Sequence, residues 1–158
     1  MITIKGIQDE DFVNYKKPSM FICFPKCSWK CEKECGKKVC QNGTLATSPD
    51  IHIDVEVICE RYLKNLITSA IVLGGLEVFD TFKDLIELIS CFRKYTDDEI
   101  IIYTGYNKDE ITDKVVILSQ YKNLIIKFGR YIPNQSPHYD EVLGVYLASD
   151  NQYAEKIS

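Results

Sequence analysis

Five of the seven cysteines, Cys23, Cys27, Cys31, Cys35 and Cys40, fall within one stretch, FICFPKCSWKCEKECGKKVCQN. The residues between them include Lys26, Lys30, Glu32, Lys33, Glu34, Lys37 and Lys38, a polar company that points to an exposed loop. A loop holding several thiols is most often a metal site. Zinc ribbons usually pair two close ligands with two distant ones, whereas here the spacings are x3, x3, x3 and x4 and no histidine lies among them. Three thiolates from such a loop suit an iron–sulfur cluster with one iron left open for a ligand, and four suit a closed iron–sulfur or zinc site. Ligand number therefore separates an enzyme from a non-catalytic protein that transfers electrons or binds a partner.

Strands and helices must position that loop. Apolar, β-branched or aromatic runs predict strands at Met20–Cys23, Ala70–Leu73, Ile100–Tyr103, Leu124–Phe128 and Val145–Ala148. Helical periodicity covers Asp54–Leu66, with Val55, Ile58, Tyr62 and Leu66 on one face and Asp54 as N-cap. It covers Asp80–Tyr95, with Phe82, Leu85, Ile86, Ile89 and Phe92, and Asn107–Leu118, where Asn107 and Glu110 form a capping-box-like start. Gln41–Asp50 reads as a loop. Alternation of this kind predicts an α/β fold with a mostly parallel sheet. Four segments then follow successive strand ends: the cysteine loop, Gly74-Gly75-Leu76-Glu77, Thr104-Gly105-Tyr106 and Gly129-Arg130-Tyr131. The C-terminal edge of a parallel sheet is where sites are built, so these four loops are expected to form one site.

The 158 residues carry a net charge of −4, with 46% hydrophobic and 27% charged residues, the balance of one soluble domain. Mild acidity gives no general attraction to nucleic acid. No apolar run approaches the roughly 20 residues of a membrane span, and no signal-peptide core precedes Glu10, so a cytoplasmic setting is expected. In a reducing compartment an odd number of cysteines does not make a disulfide framework. Cys59 and Cys91, alone in apolar helical patterns, read as small core residues. His52 and His138 read as structural or surface residues, and Arg130 as a surface ion-pair partner.

Six short segments carry a family resemblance. Cys27-Ser28-Trp29-Lys30-Cys31 and Cys40-Gln41-Asn42 look like parts of a cluster motif, and Gly74-Gly75-Leu76-Glu77 like a Gly-Gly-acidic loop. Tyr103-Thr104-Gly105-Tyr106, Phe128-Gly129-Arg130-Tyr131 and Ser149-Asp150-Asn151-Gln152 follow in order. On these segments the chain resembles radical S-adenosylmethionine proteins, and within them the small activating proteins of anaerobic ribonucleotide reductase. The resemblance implies a single domain over residues 1–158 folded as an incomplete TIM-like barrel of mostly parallel strands with crossover helices. It implies a 4Fe–4S cluster that reductively cleaves S-adenosylmethionine to methionine and a 5′-deoxyadenosyl radical. Gly74 and Gly75 would let the methionine end approach, Glu77 would pair with its ammonium, Trp29 would close one side of the cluster, Tyr103 or Tyr106 would pack near the adenosyl group, and Thr104 would be a further cofactor-binding residue. The implied partners are a glycyl-radical enzyme as protein substrate and an electron donor such as flavodoxin or ferredoxin.

The family norm, C-x3-C-x2-C, is not met by any three cysteines here. Cys27, Cys31 and Cys40 are the favoured ligands, because Cys40 precedes the expected x-Asn. The competing triplets are Cys23, Cys27, Cys31 and Cys27, Cys31, Cys35, and Cys35 as a fourth thiolate removes the open iron. Each remaining assignment has a plainer rival: the Gly-Gly as an ordinary turn, Glu77 as a solvated first-turn acid, the aromatics as packing residues, and Asn151 and Gln152 as the end of a strand.

Overall fold

The runs Met20–Cys23, Ala70–Leu73, Ile100–Tyr103 and Leu124–Phe128 each fall within a strand of one sheet. The computed structural model describes residues 1–27 and 43–158. Along them lie β1 (Ile2–Ile4), β2 (Gly6–Asp11), β3 (Ser19–Phe24), a short helix α1 (Gly43–Thr47), β4 (Ile51–Ile53), α2 (Val55–Lys64) and β5 (Ala70–Gly75). A 3₁₀ turn at Val78–Thr81 leads into α3 (Phe82–Tyr95), then come β6 (Glu99–Tyr103), a 3₁₀ turn at Lys108–Glu110, α4 (Thr112–Leu118), β7 (Leu124–Phe128), β8 (His138–Asp140), β9 (Val145–Leu147) and β10 (Tyr153–Lys156). The fold is mixed α/β.

The central sheet has the order β10-β7-β6-β5-β3-β2. Its middle is parallel, with Ile22 opposite Leu73, Ile71 opposite Ile100, and Ile102 opposite Ile126. β2 and β10 add antiparallel edges, so among the described residues the sheet is open and no closed barrel forms. Each parallel strand lies beside the one that precedes it in the sheet.

Strand alternation divides the apolar residues between two layers. Ile22, Leu73, Ile102 and Ile126 join one core cluster with Ile58 and Tyr62 of α2, Leu88 and Phe92 of α3, and Val115 and Leu118 of α4. Val72, Ile101 and Ile125 face the other way and are covered by Tyr15, Leu143 and Leu147. Burial on both faces explains why the parallel strands read as continuous apolar runs. α2, α3 and α4 thus share one face of the sheet, leaving the other face to irregular segments and the β8–β9 ribbon. Among the described residues no helix is long and apolar enough to cross a membrane.

Several expectations are corrected. Val145–Leu147 pairs antiparallel with His138–Asp140 in a separate ribbon rather than extending the parallel sheet. Residues 129–144 hold no helix to carry the chain back across the sheet, and the place beside β7 goes to β10, running antiparallel. Leu66 lies beyond the end of α2 and is 96% exposed, so it does not share the buried face of Ile58 and Tyr62. Asp54 occupies the N-cap position of α2 but makes no side-chain cap. Thr112, not Asn107, begins the α-helical part of the third pattern, although Asn107 and Glu110 do close a capping box on the turn before it, the Glu110 carboxylate accepting from the Asn107 N–H at 2.9 Å. Gln41–Asp50 is not all loop, since it contains α1.

Candidate functional site

A cavity of about 450 Å³ opens at the C-terminal ends of β5, β6 and β7, within the range of small-molecule sites. All four of the loops singled out by sequence reach it: Cys27 after β3, Gly75 to Glu77 after β5, Thr104 and Gly105 after β6, and Gly129 and Tyr131 after β7. Phe21, Tyr103 and Lys127 contribute from the strands, Asn14 from the loop between β2 and β3, and Leu147 and Gln152 from the C-terminal segment.

Glu77 ties two of these loops together. Its side chain is 8% exposed and accepts three hydrogen bonds, at Oε1 from the Phe79 N–H (3.1 Å) and the Thr104 hydroxyl (2.7 Å), and at Oε2 from the Gly105 N–H (2.8 Å). It caps the 3₁₀ turn from within the protein, so it is not a solvated acid. Burial pushes its carboxyl above the ordinary carboxylate range, against the pull of the three donors toward the charged form. A carboxylate oxygen can accept two hydrogen bonds, and Oε2 takes one from the described residues.

Lys127 meets the same threonine from the other side. Its ammonium donates to the carbonyls of Thr104 (3.2 Å) and Gly129 (3.0 Å), lies 5.8 Å from the centre of the Tyr103 ring, and is 7% exposed as a residue. Tyr103 in turn donates its hydroxyl to the Asn14 carbonyl at 2.5 Å, and burial raises the pKa of that phenol. Thr104 accepts from the Tyr106 N–H, and the Gly129 N–H donates to the Tyr106 carbonyl at 3.0 Å.

The loop after β7 is held from the C-terminus. Gly129 has φ +106°, and a Cβ there would stand 3.0 Å from the Asn151 carbonyl. The Asn151 side chain donates to the Arg130 carbonyl (2.9 Å) and that of Gln152 to the Gly129 carbonyl (3.3 Å), while the side-chain Oε1 of Gln152 accepts from the Ala148 and Ser149 N–H groups. Asn151 and Gln152 therefore clamp a site loop as well as preceding β10. Arg130 forms the expected ion pair, with Glu110 at 2.6 Å, but it is buried rather than on the surface.

The glycine pair serves the chain's own packing. Gly75 has φ +87°, and a Cβ would come 3.0 Å from Cys23 Cα and 3.1 Å from the Leu45 side chain. A Cβ on Gly74 would stand 3.1 Å from the Phe21 ring. These contacts let β5 and its loop close on β3, and the cavity is bordered by Gly75 and Phe21 rather than by space that a Cβ would fill.

No family model, curated protein or solved structure matches the chain.

Of the sequence-predicted ligands, Cys27 borders the cavity, half-buried. Cys23 belongs to β3, opposite Gly74, and burial pushes its thiol pKa up, an effect opposed to thiolate ligation. Trp29, Cys31, Cys35 and Cys40 lie outside the described residues, and among the described ones no three of His, Cys, Asp and Glu are grouped to hold a metal. Sequence reasoning missed Lys127, whose signal was a lone cation in the apolar run Leu124–Phe128. The segment Ser149-Asp150-Asn151-Gln152 stood out in the sequence, but the clamp of Gln152 on Gly129 did not. An acid and an ammonium joined through one threonine suit a ligand that carries both an ammonium and a carboxylate.

Proposed function

We propose that this chain is a radical S-adenosylmethionine protein whose cysteine loop holds a 4Fe–4S cluster through Cys27, Cys31 and Cys40. The observation that carries the reading is the convergence of Cys27, Gly75, Glu77, Tyr103, Thr104 and Gly129 on one cavity. Those residues come from four separate segments that resemble the family in order. The strand arrangement supports it too: β3, β5, β6 and β7 lie side by side in chain order with helices on one face, as in a TIM-like barrel stopped partway.

When bound, the reduced cluster supplies the electron that cleaves S-adenosylmethionine to a 5′-deoxyadenosyl radical. The chain's own residues bind and orient. Lys127 attracts the methionine carboxylate, Glu77 offers its remaining acceptor capacity to the ammonium, and Tyr103 with Phe21 supplies apolar wall. Glu77 also holds the loops after β5 and β6 in register, which keeps the cavity shaped before ligand enters. The open sheet leaves room for a macromolecular substrate, and the reading assigns the chain to activation of a glycyl-radical enzyme in the cytoplasm, with reducing equivalents from a flavodoxin or ferredoxin.

Anaerobic reconstitution followed by iron, sulfide and zinc analysis tests the cluster. Iron and sulfide are expected in equal amounts, lost in Cys27→Ala, Cys31→Ala and Cys40→Ala and kept in Cys23→Ala and Cys35→Ala. Zinc without sulfide, or loss of metal in Cys35→Ala together with the other three, contradicts the open-iron site and returns the chain to a four-cysteine electron-transfer or partner-binding protein.

A further inference from the structure

Cys59 and Cys91 stand apart from the cavity, in the helical layer on the opposite face of the sheet. Cys59 projects from α2 and Cys91 from α3, and their sulfurs are 3.0 Å apart, each residue almost wholly buried. The helices are packed together around them, with the Tyr62 and Phe92 rings edge to face at 5.6 Å. A disulfide needs sulfurs at about 2.0 Å, so the two stand about 1 Å beyond bonding distance. No third Cys, His, Asp or Glu completes a metal site among the described residues. Two isolated core cysteines need not face each other, and these do.

From this geometry we infer that Cys59 and Cys91 form a redox-active dithiol, closed to a disulfide by a hydroperoxide oxidant. One sulfur attacks the peroxide, the O–O bond breaks, and a sulfenic acid and water form. The second sulfur then displaces the hydroxyl as water, forming the S–S bond. Two thiols and one hydrogen peroxide thus give one disulfide and two waters, the thiols being oxidised and the peroxide reduced. Burial holds both thiols protonated, so the reaction waits on local opening of the helix pair and is slow. The bond would tie α2 to α3 and close a ring over residues 59 to 91, which contains β5 and the Gly75–Glu77 border of the cavity. This dithiol is independent of any cluster.

The full chain, reduced and then treated with hydrogen peroxide, is quenched with an alkylating agent, digested and mapped by mass spectrometry. The expected result is a peptide joining Cys59 to Cys91, two hydrogens lighter than the sum of its reduced parts and separated again by dithiothreitol. The thermal midpoint of the oxidised chain should rise by roughly 5–10 °C over that of the reduced chain. Cys59→Ser and Cys91→Ala should each lack that rise. Cys59 and Cys91 both recovered alkylated, when Cys23 or Cys27 is already oxidised, overturns the inference. A disulfide joining either residue to another cysteine also overturns it. Mapping of the unsubstituted chain needs no variant to fold.

Discussion

The Glu77 carboxylate accepts the Thr104 hydroxyl at 2.7 Å, joining the loop that follows β5 to the loop that follows β6. Its other oxygen takes the Gly105 N–H, so a single buried acid sets the spacing of two strand ends. A cavity built from strand ends is only as well shaped as such ties, because each loop alone has freedom that its strand does not remove.

Glu77→Gln should lower stability by about 1–3 kcal/mol at neutral pH, since an amide turned to satisfy the Thr104 hydroxyl presents its own N–H to the Gly105 N–H. The pH profile carries a second signature. Burial raises the folded carboxyl above its ordinary value of 4.5, so its contribution is complete below 4.5 and is lost as pH rises through the folded value. Urea denaturation across that range should show the decline in the natural chain and a flatter profile in the variant.

Gly75→Ala should cost about 1–3 kcal/mol, because φ of +87° is unfavourable for alanine and its Cβ would press on the Cys23 backbone at 3.0 Å. Gly6→Ala is the control. Its Cβ meets nothing within 4 Å, and the substitution should stabilise by about 0.4–1 kcal/mol. The two urea midpoints should move in opposite directions.

Lys127→Met keeps most of the side-chain volume and removes the ammonium of a residue that lines the cavity. Binding of S-adenosylmethionine, followed by calorimetry under anaerobic conditions, should weaken about tenfold or more, on the order of 1.4 kcal/mol. Decarboxylated S-adenosylmethionine, which lacks the group that Lys127 would hold, should bind the natural chain and the variant alike.

Cys23 should alkylate with iodoacetamide at least about tenfold more slowly than a free thiol at pH 8, because burial disfavours its thiolate. Mass-spectrometric time courses on the reduced chain give the rate directly.

The parallel strands were legible because burial on both faces leaves an unbroken apolar signature, as in Ile100–Ile102 and Leu124–Ile126. The edges were not. β2 reads Gly-Ile-Gln-Asp-Glu-Asp and β10 Tyr-Ala-Glu-Lys, polar because edge strands face solvent, and neither stands out from a loop. β9 was found as a strand but misplaced, since its sequence does not encode which partner it meets. At the site, glycines and the Thr-Gly pair marked the loops, whereas the ties between them depend on partners far along the chain. Glu77 meets Thr104 across 27 positions, Lys127 meets Thr104 across 23, and Gln152 meets Gly129 across 23. Local pattern carries no trace of such pairings. The Arg130–Glu110 pair was half legible: the ion pair followed from residue type, whereas the burial of Arg130 did not.

Cleavage of S-adenosylmethionine by the cavity and the cysteine loop together is directly measurable. Chain reconstituted anaerobically with iron and sulfide is mixed with S-adenosylmethionine and dithionite, and 5′-deoxyadenosine is measured by chromatography. 5′-Deoxyadenosine and methionine are expected in equal amounts, and neither in Cys27→Ala. A fully loaded, reduced cluster that yields no 5′-deoxyadenosine contradicts the proposed function.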